Sequence, residues 1–155
     1  MAARLKNYTT SVPASRSISE IEQLLLDFGA VNFMKKADPE TRQFSAIMFS
    51  LDVGGKEIAF RLPANTDKVA EYLYREYMSH GIRHKKTRED FRKDAYNITW
   101  RIIKDWTHAQ VSIITTEMMR IEEVFLPYVI TGDDQTLAEK FSAGKLDRML
   151  PAYTP

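Results

Sequence analysis

The chain has 155 residues, 44% of them apolar and 28% charged, with a formal net charge of +1 and no cysteine. That length suits one domain of about 100–200 residues. The composition excludes a disordered polyelectrolyte, and the lack of cysteine excludes disulfides, thiolate metal sites and cysteine nucleophiles.

A near-neutral total exerts no overall pull toward nucleic acid or membrane, so any such attraction must come from local clusters of charge. The N-terminus MAARLKNYTTSV lacks the apolar stretch of a secretory signal. No run approaches the ~18 consecutive apolar residues of a membrane span. A cytoplasmic location is therefore expected.

In chain order, Leu5 to Val12 is rich in Tyr, Thr and Val and reads as a first strand closed by Pro13. Ser17 with Glu20 has the spacing of a capping box and predicts a helix start. Ile18, Ile21, Leu25 and Phe28 then fall on one helical face, and Gly29 suits a left-handed stop. A strand follows near Val31 to Lys36, and Asp38-Pro39-Glu40-Thr41 is turn chemistry.

Two strand-like runs, Phe44 to Val53 and Lys56 to Leu62, flank Gly54-Gly55. Two central glycines fit a type I′ hairpin turn, which needs positive φ at both positions. That turn sets Leu51 opposite Ile58, Phe49 opposite Phe60 and Ile47 opposite Leu62, so all six apolar side chains share one face. A slip of one residue would destroy the match. Met48, Ser50, Asp52, Glu57, Ala59 and Arg61 form the mixed second face.

Asn65 or Thr66 caps a helix over Asp67 to Ser79, with Val69, Leu73 and Tyr77 on its apolar stripe, and Gly81 breaks it. Thr87 with Asp90 opens the dominant element. No glycine or proline occurs from Arg88 to Leu126, which predicts one very long helix.

One stripe of that helix runs Tyr96, Trp100, Ile103, Val111, Ile114, Met118, Ile121 and Phe125, interrupted at Thr107. A second runs Ala95, Ile98, Ile102, Trp106, Ala109 and Ile113. Two stripes mean burial on more than one side, against this chain or against a second copy. The β-branched cluster Ile113-Ile114-Thr115-Thr116 is a candidate break. A short helix over Thr136 to Ser142 uses Leu137 and Phe141. The expected fold is α+β, a single domain over 1–155. Its 1–64 portion is a β-α-β-β-β antiparallel sheet packed on helices, and its helical 65–155 portion carries the very long C-terminal helix.

The clearest functional signal is basic. Residues 83–93 carry Arg83, Lys85, Lys86, Arg88, Arg92 and Lys93 against Glu89 and Asp90, and Arg101, Lys104 and His108 continue a polar stripe. Lys and Arg on one face neutralise phosphates without reading bases; the plain alternative is a solvated helix start. Arg61, with Met48 and Ser50 on the second sheet face, is a further phosphate candidate. An open sheet reads single strands with stacking aromatics, which here only Phe44 or Tyr8 would supply.

Ile114, Met118, Ile121 and Phe125, with Met119 beside them, are candidates for an oligomer seam between two long helices, against packing within the chain. His80 and His84 have a helical metal-ligand spacing, but Gly81 intervenes and the neighbouring cations oppose a metal. His108 with Asp105 or Ser112 lacks the convergence that catalysis needs. Gly54-Gly55-Lys56 leads into a strand, unlike a phosphate loop. Trp100 and Trp106 sit on the apolar stripes and read as core. Neither a metal nor a cofactor is expected.

KNYTTSVPASRSISEIEQLLLDFGA, IAFRLPAN and TWRIIKDWTHAQVSIITTEMMRIEEVFLPY resemble a family of small phage- and prophage-encoded proteins. The distinctive pieces are Tyr8-Thr9-Thr10, Phe60-Arg61-Leu62-Pro63, Trp100 to Trp106 and Phe125-Leu126-Pro127-Tyr128. The stretch Glu71 to Ile82, with Tyr72, Tyr74 and Tyr77, departs most from that pattern. The resemblance implies a mobile-element origin in a bacterial cytoplasm and carries over no catalytic residue. The resulting expectation is a non-enzymatic accessory protein that binds nucleic acid through the basic segment. The alternative is an anti-defence or regulatory protein that grips a host protein or sequesters a signalling nucleotide, and a homodimer through the long helix is compatible with either.

Overall fold

The computed structural model describes residues 4–81, 85–150 and 152. The elements are α1 (Ala14–Phe28), β1 (Val31–Ala37), β2 (Phe44–Val53), β3 (Lys56–Pro63), α2 (Thr66–Ser79), α3 (Arg92–Thr115), α4 (Ile121–Phe125) and α5 (Leu137–Ser142). Single 3-10 turns cover Arg88–Phe91, Leu126–Tyr128 and Asp147–Met149. The fold is α+β, with a three-stranded antiparallel sheet in the order β1-β2-β3.

The hairpin has the expected register, pairing Leu51 with Ile58, Phe49 with Phe60 and Ile47 with Leu62. Gly54 and Gly55 both have positive φ, 62° and 82°, as a type I′ turn requires. Asp52 accepts a hydrogen bond from the Gly55 N–H at 2.9 Å. Before the hairpin, the Asp38 carboxylate accepts the N–H groups of Glu40 and Thr41 at 2.8 and 2.9 Å and closes the β1–β2 turn. These bonds, Thr41's the larger, lower the Asp38 pKa.

The apolar sheet face packs on α1, α3 and α4. Phe49, Phe60 and Phe125 are all fully buried, with ring centroids 5.5–5.9 Å apart, a spacing at which tilted rings attract. Ile18, Ile21 and Leu25 of α1 and Trp100 of α3 complete this core. A second cluster joins Ala70 and Leu73 of α2 to Ala95 and Ile98 of α3, with Leu5, Tyr72 and Phe91 against it. The two stripes of α3 are thus covered by this chain's own α1 and α2.

Three expectations need correction. Leu5 to Val12 is not a strand. Residues 6–9 form a turn in which Asn7 is left-handed (φ 61°), the Thr10 N–H donates to the Asn7 carbonyl at 3.0 Å and the Thr10 hydroxyl accepts from the Val12 N–H at 3.2 Å. Such local bonds compete with a ladder. The outer edge of β3 is met instead by Val129, which bridges to Phe60, while the Ile130 N–H donates to the Ala59 carbonyl at 2.9 Å.

Second, α1 starts at Ala14 rather than at Ser17. Asn97 of α3 accepts the Ala14 N–H at 2.9 Å, so a residue from another helix does the work of a local cap, and Ser17 is buried inside α1.

Third, the longest helix is central and ends at Thr115. Glu117 is left-handed (φ 59°). The Glu117 N–H donates to the Ile114 carbonyl at 2.9 Å and the Met118 N–H to the Ile113 carbonyl at 3.1 Å. This pair of bonds is a Schellman motif, usually built on glycine. The Thr116 hydroxyl adds a bond to the Ser112 carbonyl at 2.8 Å. Among the described residues, no helix is long and apolar enough to cross a membrane.

Candidate nucleic-acid interface

The candidate cations separate into two groups. Arg61 donates to Asp134 at 3.1 Å and to Glu139 at 2.9 Å, and its side chain is only 11% exposed; the C-terminal segment has folded over it. Arg92 is held by Asp67 and donates to Gln43 at 3.1 Å. Arg88 reaches the same Asp67 at 3.6 Å. Arg101 lies 2.9 Å from Glu20, and Lys104 lies 4.0 Å from Glu20 and 3.4 Å from Asp105. Each of these charges is already answered within the fold. Lys85, Lys86 and Lys93 are exposed and are drawn into no ion pair with the described residues. Arg83 and His84 lie outside the described residues.

The basic segment does not form one stripe along α3. Arg92 faces the β1–β2 turn and the start of α2, while Arg101 and Lys104 face α1. Lys93, two residues after Phe91, lies roughly 200° around the helix from it.

Lys85 and Lys86 are positioned by Tyr77 of α2, whose hydroxyl accepts their backbone N–H groups at 3.0 and 3.4 Å. The Lys86 ammonium lies 5.5 Å from the centroid of the Phe91 ring, and the Phe91 and Tyr77 rings are 5.4 Å apart. Tyr72, Glu76 and His80 recur every fourth residue on α2, beside Leu73 and Tyr77, so they form one wall. The N-terminal segment crosses in front of it, tied to α3 by Asp105. That carboxylate receives the Asn7 side-chain amide at 3.0 Å and the Lys6 ammonium at 2.9 Å. Burial works to raise the Asp105 pKa, but the hydrogen bonds from Asn7, Lys6 and Lys104 and the Lys6 charge outweigh it and hold the group at about 2.

Together these segments enclose an open groove of about 780 Å³. Rings of Tyr8, Tyr72, Tyr77 and Phe91 and the charged or polar ends of Arg4, Glu76, His80 and Lys86 line it. Arg4 lies 6.0 Å from the centroid of the Tyr8 ring, and Tyr8 is 49% exposed.

Sequence reasoning singled out Lys85 and Lys86 but missed Arg4, and it assigned Tyr8 to a strand beside the sheet face. The sequence signals for this groove were Lys86 and the tyrosine cluster of α2. Phe44 does not serve the second sheet face as a stacking platform; its N–H donates to the Tyr96 hydroxyl at 3.1 Å, and it packs on the core. Ser50 is buried and donates to Glu57 at 2.6 Å.

The proposed seam is dispersed because the helix stops at Thr115. Phe125 is fully buried, Ile114 and Ile121 pack against the core, and Met118 is 69% exposed. The Ser112 hydroxyl donates to the His108 carbonyl at 2.8 Å, and Asp105 serves the N-terminal segment, so these three do not assemble as a reactive set. Among the described residues, no group of three or more His, Cys, Asp or Glu is arranged to hold a metal ion.

No protein-family model, curated protein or solved structure matches the chain.

Proposed function

We propose that this chain is a non-enzymatic nucleic-acid-binding protein, in keeping with the phage and prophage accessory proteins it resembles, and that it contacts phosphates through Lys85 and Lys86 with Arg4 beside them. The observation that carries this reading is the partition of the cations. Most of the cations singled out from the sequence are ion-paired within the fold, whereas Lys85 and Lys86 are exposed and form no ion pair with the described residues. Lys86 also borders the groove of about 780 Å³, which Arg4 lines as well. Surface lysines that neutralise phosphates release the counterions condensed on the nucleic acid, and this neutralisation is independent of sequence.

The groove volume lies within the ~300–1,000 Å³ range of small-ligand clefts. That favours, as the second reading, sequestration of a free nucleotide in the same place.

The test is fluorescence anisotropy with a labelled oligonucleotide from ~50 to ~200 mM salt, repeated with Lys85→Gln/Lys86→Gln. The expected result is an affinity that falls linearly in log–log form with salt, and a shallower slope with weaker binding in the double variant. Salt-independent binding, or none, overturns the reading. Competition by a mononucleotide at stoichiometric concentration supports the second reading over the first.

A further inference from the structure

We infer that the groove between α2, the N-terminal segment and the Arg88–Phe91 turn is a stacking subsite for unpaired bases, so that the protein prefers a single strand to a duplex. This inference rests on the nucleic-acid reading above and adds the form of the ligand.

Three separate stretches of chain bring rings to the groove: Tyr8 from the N-terminal segment, Tyr72 and Tyr77 from α2, and Phe91 from the turn before α3. Leu73 is buried beneath them. Tyr8 leaves nearly half of its surface in water, so an incoming planar group can reach it. Every base has a π-face, and base–aromatic stacking is sequence-tolerant.

The cations are arranged to match. Arg4 and Lys86 each lie over a groove ring, at 6.0 and 5.5 Å. A phosphate drawn to either one therefore sits within a nucleotide's own length of a ring. Glu76 belongs to the same wall. It repels phosphate and accepts hydrogen bonds from N–H groups on the Watson–Crick edge of a base, such as the N3–H of thymine and uracil, which orients the strand with its bases inward and its backbone toward Arg4, Lys85 and Lys86. A duplex cannot use this arrangement, because its base faces are covered by their neighbours in the stack. It would meet only the lysines.

The experiment measures binding of labelled oligo-dT, oligo-U and a blunt DNA duplex by the intact protein, by Tyr8→Leu, by Tyr8→Phe and by Lys85→Gln/Lys86→Gln. Tyr8 is half-exposed, so its variants are expected to retain the fold, which circular dichroism checks. Both single strands are expected to bind more tightly than the duplex, since ring faces and phosphates are common to DNA and RNA. Tyr8→Leu is expected to weaken single-strand binding roughly tenfold with the salt slope and duplex affinity unchanged, and Tyr8→Phe to restore it. The lysine variant lowers affinity for all three ligands. Equal single-strand and duplex affinities with Tyr8→Leu silent overturn the stacking subsite while leaving phosphate binding intact. Absence of binding to any of the ligands overturns both.

Discussion

Replacing Glu117 by glycine should raise the stability of this protein, although the sequence around it is free of helix breakers. Glu117 is exposed and left-handed at φ 59°. For a residue with a Cβ, the left-handed conformation costs about 1–2 kcal/mol. Glycine removes that cost but gives back about 0.4–1 kcal/mol through the freedom it adds to the unfolded chain. The net gain is about 0.8 kcal/mol at the middle of these ranges, a rise of roughly 2–3 °C in Tm for a domain of this size. If the helix instead ran straight through residue 117, glycine would cost about 0.5–0.8 kcal/mol relative to glutamate and Tm would fall. The sign alone decides. Glu117→Ala is the companion measurement, because alanine keeps the left-handed cost but improves a continuous helix. Thermal unfolding followed by circular dichroism reads both variants. A lower Tm for glycine together with a higher one for alanine would refute the Schellman ending of α3 and restore a long helix able to present Met118 and Ile121 on one face.

Two other outcomes follow from the ion pairs. Arg92→Gln removes a mostly buried guanidinium from Asp67 and Gln43 and should cost about 1–2 kcal/mol, or roughly 2–8 °C in Tm, while leaving the salt slope of nucleic-acid binding unchanged. A shallower slope with unaltered Tm would place Arg92 on the ligand instead. Asp105 titrates at about 2 in the folded protein against an ordinary value of 3.8. Its folded pKa is the lower one, so its stabilisation is complete above about pH 4 and is lost as pH falls toward 2. Asp105→Asn should therefore flatten the acid limb of stability in that window, by roughly 1–2 kcal/mol after allowing for solvent screening. An acid limb identical to that of the unaltered protein, measured by urea unfolding at pH 2–5, would disprove the tie between the N-terminal segment and α3.

Legibility in the sequence followed the range of the interactions involved. The Gly54-Gly55 hairpin was readable to the residue because a two-residue turn and the alternation on either side of it are local and mutually constraining. Asn65 at the start of α2, Gly29 at the end of α1 and Thr136 before α5 were readable for the same reason. The start of α1 was not, because its first N–H is satisfied by Asn97, far along the chain. The end of α3 was legible only in part: the β-branched run Ile113-Ile114-Thr115-Thr116 marked the place where the helix stops, but its left-handed residue is a glutamate, which no side-chain rule distinguishes from a helical one. The N-terminal segment had strand-like composition, but Asn7 and Thr10 bond locally and Asp105 holds it against a helix.

The charges were the least legible feature. A cation's sequence neighbours do not reveal whether it is paired, since the partners of Arg61 are Asp134 and Glu139 and the partner of Arg101 is Glu20. Counting lysines and arginines over 83–104 therefore overstated the surface on offer.

That overstatement changes where binding is sought. A paired arginine has fewer N–H groups left to give a phosphate, and the carboxylate beside it repels the same phosphate. Arg61, Arg92 and Arg101 thus carry a double penalty that Lys85, Lys86 and Arg4 do not. The penalty is greatest at Arg61, whose side chain is 11% exposed and would have to be uncovered first. A sequence-independent ligand takes cations that cost little to engage, and among these the proposed reading selects Arg4, Lys85 and Lys86 because they stand at the groove formed by α2 and the N-terminal segment, which the exposed Lys36, Arg42, Lys56, Arg75, Lys93 and Arg148 do not line. On the proposed reading, Arg92, Arg101 and Lys104 of α3 serve the fold, and a polyanion is met at the helix's approach, where Lys86 stands beside the Phe91 ring.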